Sequence, residues 1–381
     1  MTAVTLLQPG RIVFGMGSST QGAEFMLGLG LRRVLIVTAP PIAELAESFA
    51  ATLRQGAASV LIHADVATEP TIHTFEAALQ AARSYSPDAV VGLGGGSALD
   101  VAKLAAAFSK GGEDVRQAFG INKLGPRTTY LACLPTTSGT GSEVSPNAIL
   151  LDDADHLKKG VVSPYLVPDA AFVDPELTLS VPPAVTAATG MDALVHCIEA
   201  YVNRFAHPLV DLYALEGIRL VGSSLLQAVQ HGDDLQARTH MARGSLYGGL
   251  CLGPVNTAAV HALAYPLGGE FHVAHGVSNA VLLAHVVQYN LPAAPERYAD
   301  VGLALGVPAG GSAFETAQRG VDRMRELSRS IGIARGLSEL GISAEAIPGL
   351  ARSAMTVTRL LKNNVRELTL ADAEAIYRAA Y

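Results

Sequence analysis

The chain changes texture once, near residue 180, and that change limits what it can fold into. Before it, short runs rich in β-branched residues alternate with helical periods. Residues 33–38, 58–62, 88–93 and 129–134 read as strands, and stretches around 41–55, 71–84 and 97–109 as helices. Strands alternating with helices join in parallel, so this half predicts an α/β sheet covered on both faces. After Val181-Pro182-Pro183 the strand signals vanish and long Ala/Leu-rich helical periods take over. The second half is therefore expected to be all-helical. The division falls at 1–179 for the α/β domain and 180–381 for the helical one.

Composition agrees with two buried cores. Of 381 residues, 49% are hydrophobic and 16% charged, which excludes a disordered chain. A net charge of −7 argues against nucleic acid or an anionic membrane surface as partner. Cys133, Cys197 and Cys251 form no CxxC pair, which fits a reducing compartment. Residues 1–15 lack a basic region followed by an apolar run, and no apolar stretch reaches the roughly 18–20 residues of a membrane helix. A cytoplasmic, soluble protein is the expectation.

Two loops carry cofactor chemistry. Gly92 to Lys103 lies where a strand ends and a helix begins, and glycines there let backbone N–H groups approach a phosphate closely. The run is neither a GxGxxG fingerprint nor a P-loop, and a tight packing turn is the plainer alternative. The next strand leads into Pro135-Thr136-Thr137-Ser138-Gly139-Thr140-Gly141-Ser142, dense in hydroxyls and backbone amides. Two such loops at consecutive strand ends favour a dinucleotide.

A metal site is legible in the helical half. Asp192 and His196 are four residues apart, which puts a carboxylate and an imidazole on one helix face. His261 and His275 bracket a second block. One carboxylate with three imidazoles suits Fe(II) or Zn(II) rather than Mg or Ca, and can leave a position open for a substrate oxygen. Cys197, beside His196, reads as a small buried residue, and Glu199 as structural.

In this order the motifs resemble the iron-containing, group III, alcohol dehydrogenases. The resemblance rests on Gly94-Gly95-Gly96-Ser97 with Asp100 and Lys103, on Pro135 to Thr140, on Gly190 to Leu194 with His196 and Glu199-Ala200-Tyr201, on the His261-to-His275 block, and on Arg359 to Asn364. It spans almost the whole chain. It implies an amino-terminal nicotinamide-binding, Rossmann-like domain, a helical carboxy-terminal domain, and a metal held by Asp192, His196, His261 and His275. By the same similarity Gly94, Gly95, Gly96, Ser97, Asp100, Thr136, Thr137 and Thr140 serve the cofactor, with Asn147 and Lys158 as further candidates. The implied reaction is hydride transfer between NAD or NADP and an alcohol or aldehyde, a hydroxy or oxo acid staying open. The implied assembly is a homo-oligomer, with a dimer the simplest form.

Three departures from the family pattern qualify it. Ala39 stands where NAD-preferring members often carry an Asp, so NADP stays open. Tyr265 stands where many members have a His taken as a proton relay, and a phenol of ordinary pKa near 10 shuttles protons poorly at neutral pH. His272 is the alternative relay. Val365 replaces a Pro, without functional meaning. The rival readings are a metal-independent, maleylacetate-reductase-like enzyme and a dehydroquinate-synthase-like lyase.

Overall fold

The computed structural model describes residues 3–66, 69–111, 114–154 and 157–381. The chain forms two compact units. One comprises Leu6–Thr137 and Gly141–Ser180, and the other is Val181–Tyr381 with Ser138–Thr140 and the segment ending at Thr5.

In the α/β unit β1 (Arg11–Phe14) leads through α1 (Ser18–Gly28) to β2 (Arg33–Val37). There follow α2 (Ala43–Gln55), β3 (Ser59–His63), α3 (Ile72–Tyr85), β4 (Ala89–Gly94) and α4 (Gly96–Phe108). A short α5 (Val115–Ala118) and β5 (Gly120–Ile121) precede β6 (Tyr130–Pro135), β7 (Asn147–Asp152), β8 (Leu157–Val162) and β9 (Ala170–Val173). Six strands make one sheet in the order β1-β9-β6-β4-β2-β3, with every pairing parallel. β5, β8 and β7 form a separate small sheet.

The β-branched runs explain the buried centre of the main sheet. In β2, Leu35 and Val37 join the core shared with α3 and α4, while Val34 and Ile36 join the core shared with α1 and α2. That alternation buries both faces, as a parallel sheet requires. Strand order reverses at β2: β3 lies on one side of it and β4 on the other. Such a switch point is where open α/β sheets bind ligands. The glycine-rich loop leaves β4 there, and Gly94 pairs across from Pro135, so the two expected cofactor loops emerge side by side.

The structure adds strands that the sequence reading missed. β1 and β9 have four residues each, and β9 is half alanine, so neither carries a strong β-branched signature. The helix expected around 41–55 begins two residues later, because Pro40–Ile42 forms a 3-10 turn before Ala43.

The other unit is built from helices, with no strand longer than an isolated bridge among its described residues from Val181 onward. Its helices are α6 (Pro183–Tyr201), α7 (Pro208–Gln230), α8 (Leu235–Leu252), α9 (Ala259–Phe271), α10 (His275–Asn290), α11 (Pro295–Ala304), α12 (Ala313–Ser330), α13 (Ile347–Met355), α14 (Thr358–Leu361) and α15 (Leu370–Ala379). Proline at N1 starts α6, since its missing N–H is one the helix would leave unpaired anyway. From Gly190 to its end α6 is buried, packed by α7, α8 and α10, so its polar residues need partners inside the core.

Close packing of α4 on the sheet gives a direct test. A Cβ on Gly94 would lie 2.6 Å from the Ala98 Cβ. Gly94→Ala is expected to cost about 1–3 kcal/mol through overpacking, and Ala98→Gly in the same chain to recover part of it. Thermal unfolding of the single and double variants checks this; additive losses would contradict it.

Candidate metal centre and cofactor loops

Three helices bring the metal candidates together. On α6, Asp192, His196 and Glu199 share one face. α9 carries His261 in its first turn, and α10 begins at His275. A Cβ at Gly276 would run into the Ala188 backbone, so glycine there lets the start of α10 close on α6.

All three imidazoles turn Nε2 toward one oxygen. Asp192 Oδ1 lies 3.4 Å from His261 Nε2, 3.6 Å from His275 Nε2 and 3.8 Å from His196 Nε2. In a tetrahedral site with bonds of about 2.1 Å, neighbouring ligand atoms are roughly 3.4 Å apart. Among the described residues, Asp192, His261 and His275 form a set whose donor atoms all lie within 4.8 Å of one another. His196 stacks on His261 with ring centroids 4.7 Å apart. The cluster is not sealed: His275 keeps 27% of its side chain accessible, against 3–6% for the other three.

The far side of each ring decides which nitrogen is free. His261 Nδ1 donates to Glu199 Oε2 at 2.6 Å, and His196 Nδ1 donates to the Gly139 carbonyl at 3.3 Å. With Nδ1 of both rings turned to an acceptor, Nε2 is the nitrogen each presents to the cluster. Asn279, one turn along α10 from His275, donates Nδ2 to Asp192 Oδ1 at 2.7 Å and lies 3.2–3.3 Å from the Nε2 atoms of His261 and His275. Its Oδ1 is buried without a partner.

The electrostatics favour a cation. Burial works against the Asp192 charge, yet His196, His275 and His261 outweigh it and hold the carboxyl far below the ordinary carboxylate range. Burial pulls His196 below its ordinary value, with Asp192 opposing. Burial opposes charge on His261 as well, but hydrogen bonds to Asp192 and Glu199 lift that ring to about 9. Two buried carboxylates partnered by imidazoles, an amide and a backbone N–H match the charge of a divalent ion. The donor set fits a borderline metal.

The two proposed relay residues are placed differently. Tyr265 is half-buried one turn after His261, its ring centroid 6.1 Å from that of His275. His272 is exposed in a left-handed conformation that ends α9.

At the cofactor loops, Gly95 caps the 13-residue α4 with extended backbone and no side-chain cap hydrogen bond, so the positive end of the helix dipole faces the loop. Asp100, expected at the cofactor, accepts two hydrogen bonds from the chain that follows the threonines. Its Oδ1 accepts from Ser142 Oγ at 2.5 Å and its Oδ2 from Ile149 N at 2.9 Å. Lys103, fully buried, donates to the carbonyls of Ser142 and Asn147 at 2.7 and 2.6 Å and reaches the Ser142 and Ser145 hydroxyls. The pair therefore ties the segment after the threonine loop to α4. Asn147 keeps a buried, unpartnered Oδ1, and Lys158 is paired with Glu69 at 2.8 Å.

Four participants had no site role in the sequence reading. Glu199 and Asn279 were signalled by helical spacing from His196 and His275. Lys103 was seen only as part of a motif. The Gly139 carbonyl, as backbone, had no signal.

With that geometry in place, comparison with known proteins defines the class. A sequence model of iron-containing alcohol dehydrogenase matches residues 9–175, and one for the carboxy-terminal part of the Fe-containing alcohol dehydrogenase family matches 186–381. Long-chain-alcohol dehydrogenase 1 of Geobacillus thermodenitrificans is 43% identical, over 97% of this chain and 96% of its own length. Lactaldehyde reductase of Escherichia coli is 32% identical, over 97% of each. A crystal structure of 1,3-propanediol oxidoreductase superposes with a TM-score of 0.96 at 34% identity, covering all of both chains. The chain belongs to the iron-containing alcohol dehydrogenase family. It is an NAD(P)-linked, metal-dependent oxidoreductase of alcohols and aldehydes.

Near the loops, Glu143 supplies a pH test. Burial pushes its carboxyl up from 4.5 to about 7, against its own backbone hydrogen bond and Lys103. A carboxyl raised on folding contributes stability at acid pH that is lost as pH rises from its unfolded value through its folded one. Wild type should lose on the order of 2–3 kcal/mol across that window, and Glu143→Gln should not. Unfolding at about pH 5 and about pH 8 checks this: the variant is expected to gain on wild type at the higher pH, and parallel pH dependences would contradict it.

Proposed function

We propose that Asp192, His196, His261 and His275 hold one Fe(II) or Zn(II) ion, and that the chain uses it to interconvert primary alcohols and aldehydes. The observation that carries the reading is the convergence of three Nε2 atoms on Asp192 Oδ1 within 3.8 Å. When bound, such an ion supplies Lewis acidity toward a substrate oxygen, and the nicotinamide supplies or accepts the hydride.

The protein's own residues do the rest. Asp192 provides the charge that retains the cation, and the acceptors at Nδ1 of His196 and His261 keep Nε2 turned toward it. The more accessible His275 marks the side from which substrate arrives. Tyr265, in ring contact with His275, is the better placed of the two relay candidates, and His272 serves to end its helix. Gly95, Gly96 and Ser97 bind the pyrophosphate at the start of α4, with Gly94 allowing the close turn. Thr136, Thr137 and Thr140 line the cofactor, Asn147 offers an unpartnered oxygen, and Lys158 acts through its Glu69 pair. Asp100 positions the loop. Ala39 presents no acid to repel a 2′-phosphate, so both NADH and NADPH are accepted.

A homodimer and a cytoplasmic setting complete the reading. β1 and β3 leave their outer edges unpaired among the described residues, and all three cysteines are free and buried. Among the described residues no helix is long and apolar enough to cross a membrane.

Two measurements test the assignment. NADH and NADPH oxidation with aldehydes from short to long chain should vanish on chelation and return with Fe(II) or Zn(II); full turnover in verified metal-free protein would contradict it. Asp192→Asn and His275→Ala should each lower kcat/KM by at least about 100-fold, equivalent to about 2.7 kcal/mol. Tyr265→Phe should lower kcat with little change in metal affinity; an unchanged kcat would remove Tyr265 from the proton path.

A further inference from the structure

Glu199 makes two contacts that packing alone does not require. It sits on the face of α6 that carries Asp192 and His196, with 5% of its side chain accessible. Its Oε1 accepts the Val260 N–H at 2.6 Å, and its Oε2 accepts His261 Nδ1–H at 2.6 Å. Ala258, which precedes α9, offers no side-chain cap, so Oε1 takes an N–H that the helix start would leave unpaired. One carboxylate therefore grips two successive residues: the backbone where α9 begins, and the ring that α9 presents. His261 is left with Nε2 facing Asp192 Oδ1 at 3.4 Å.

We propose that Glu199 is the positioning residue of the metal site, setting the tautomer, rotation and basicity of His261 without touching the cation. The inference rests on the reading that Asp192, His196, His261 and His275 bind a divalent ion. Glu199 meets the ring at Nδ1, across from the ligating Nε2, so its effect passes through His261. A carboxylate there makes Nε2 a stronger donor than a neutral acceptor would. His196, whose Nδ1 meets only a carbonyl at 3.3 Å, lacks that reinforcement. His261 is thus more firmly preset than His196 before a cation arrives.

The test is metal affinity. Dissociation constants for Zn(II) and Co(II) are measured by competition with a chromophoric chelator on full-length wild type, Glu199→Gln, Glu199→Asp and Asp192→Asn. Visible Co(II) spectra of the loaded proteins and melting curves of the stripped ones accompany them. Glu199→Gln should bind both ions about 10–100-fold more weakly and shift the Co(II) bands. A lower melting temperature with wild-type affinity and spectrum would overturn the proposal and leave Glu199 a helix cap. Should Glu199→Gln fail to fold, Glu199→Asp decides: it keeps the charge but is one methylene too short to reach both partners. Weaker binding there supports the proposal, and wild-type affinity overturns it. Wild type binding neither ion, or Asp192→Asn binding as tightly as wild type, would instead overturn the metal reading, and the inference with it.

Discussion

A carboxylate buried in an apolar helical core is tolerated only when donors or cations surround it, and Asp192 is that carboxylate. Its Oδ1 is the point on which His196, His261, His275 and the Asn279 amide converge. Because those groups come from α6, α9 and α10, meeting the needs of one oxygen fixes how three helices pack. Glycine at 276 is part of the same requirement, since a side chain there would hold α10 off α6. The polar cluster around Asp192 and the core of the helical unit are one construction.

A comparable polar knot organises the α/β unit. Lys103 and Asp100 lie on α4 and engage Ser142, Ser145, Asn147 and Ile149 through buried hydrogen bonds. Burial lowers the Lys103 pKa and raises that of Asp100, and each partly offsets the shift of the other. The pair anchors the segment that follows the threonine loop to the helix that follows the glycine loop. Both loops are thereby set relative to a single helix N-terminus, which suits a ligand with phosphates.

Much of this was legible in the amino-acid sequence, where chemistry leaves a periodic mark. β2, β3, β4 and β6 are rich in apolar residues and were found within one residue of their ends, whereas the short β1 and β9 carry too little pattern. Asp192 and His196 declared themselves by a one-turn spacing, and His261 and His275 by the block they bracket. Glu199 obeyed the same spacing but was read as structural, because spacing places it on the face without revealing what α9 brings opposite. Asp100 was assigned to the cofactor because its motif adjoins the glycine loop; spacing could not reveal that its hydrogen-bond partners lie more than 40 residues away. The Gly139 carbonyl could not be foreseen at all, since every residue has one and only the path of the chain selects it.

The central claim is that these four side chains form one metal shell. X-ray absorption at the metal edge of protein reconstituted with Zn(II) or Fe(II) tests it most directly. The account predicts three imidazole nitrogens and one carboxylate oxygen at roughly 2.0–2.2 Å, with room for one further light atom. A shell containing sulfur, or one without imidazole scattering, would contradict it.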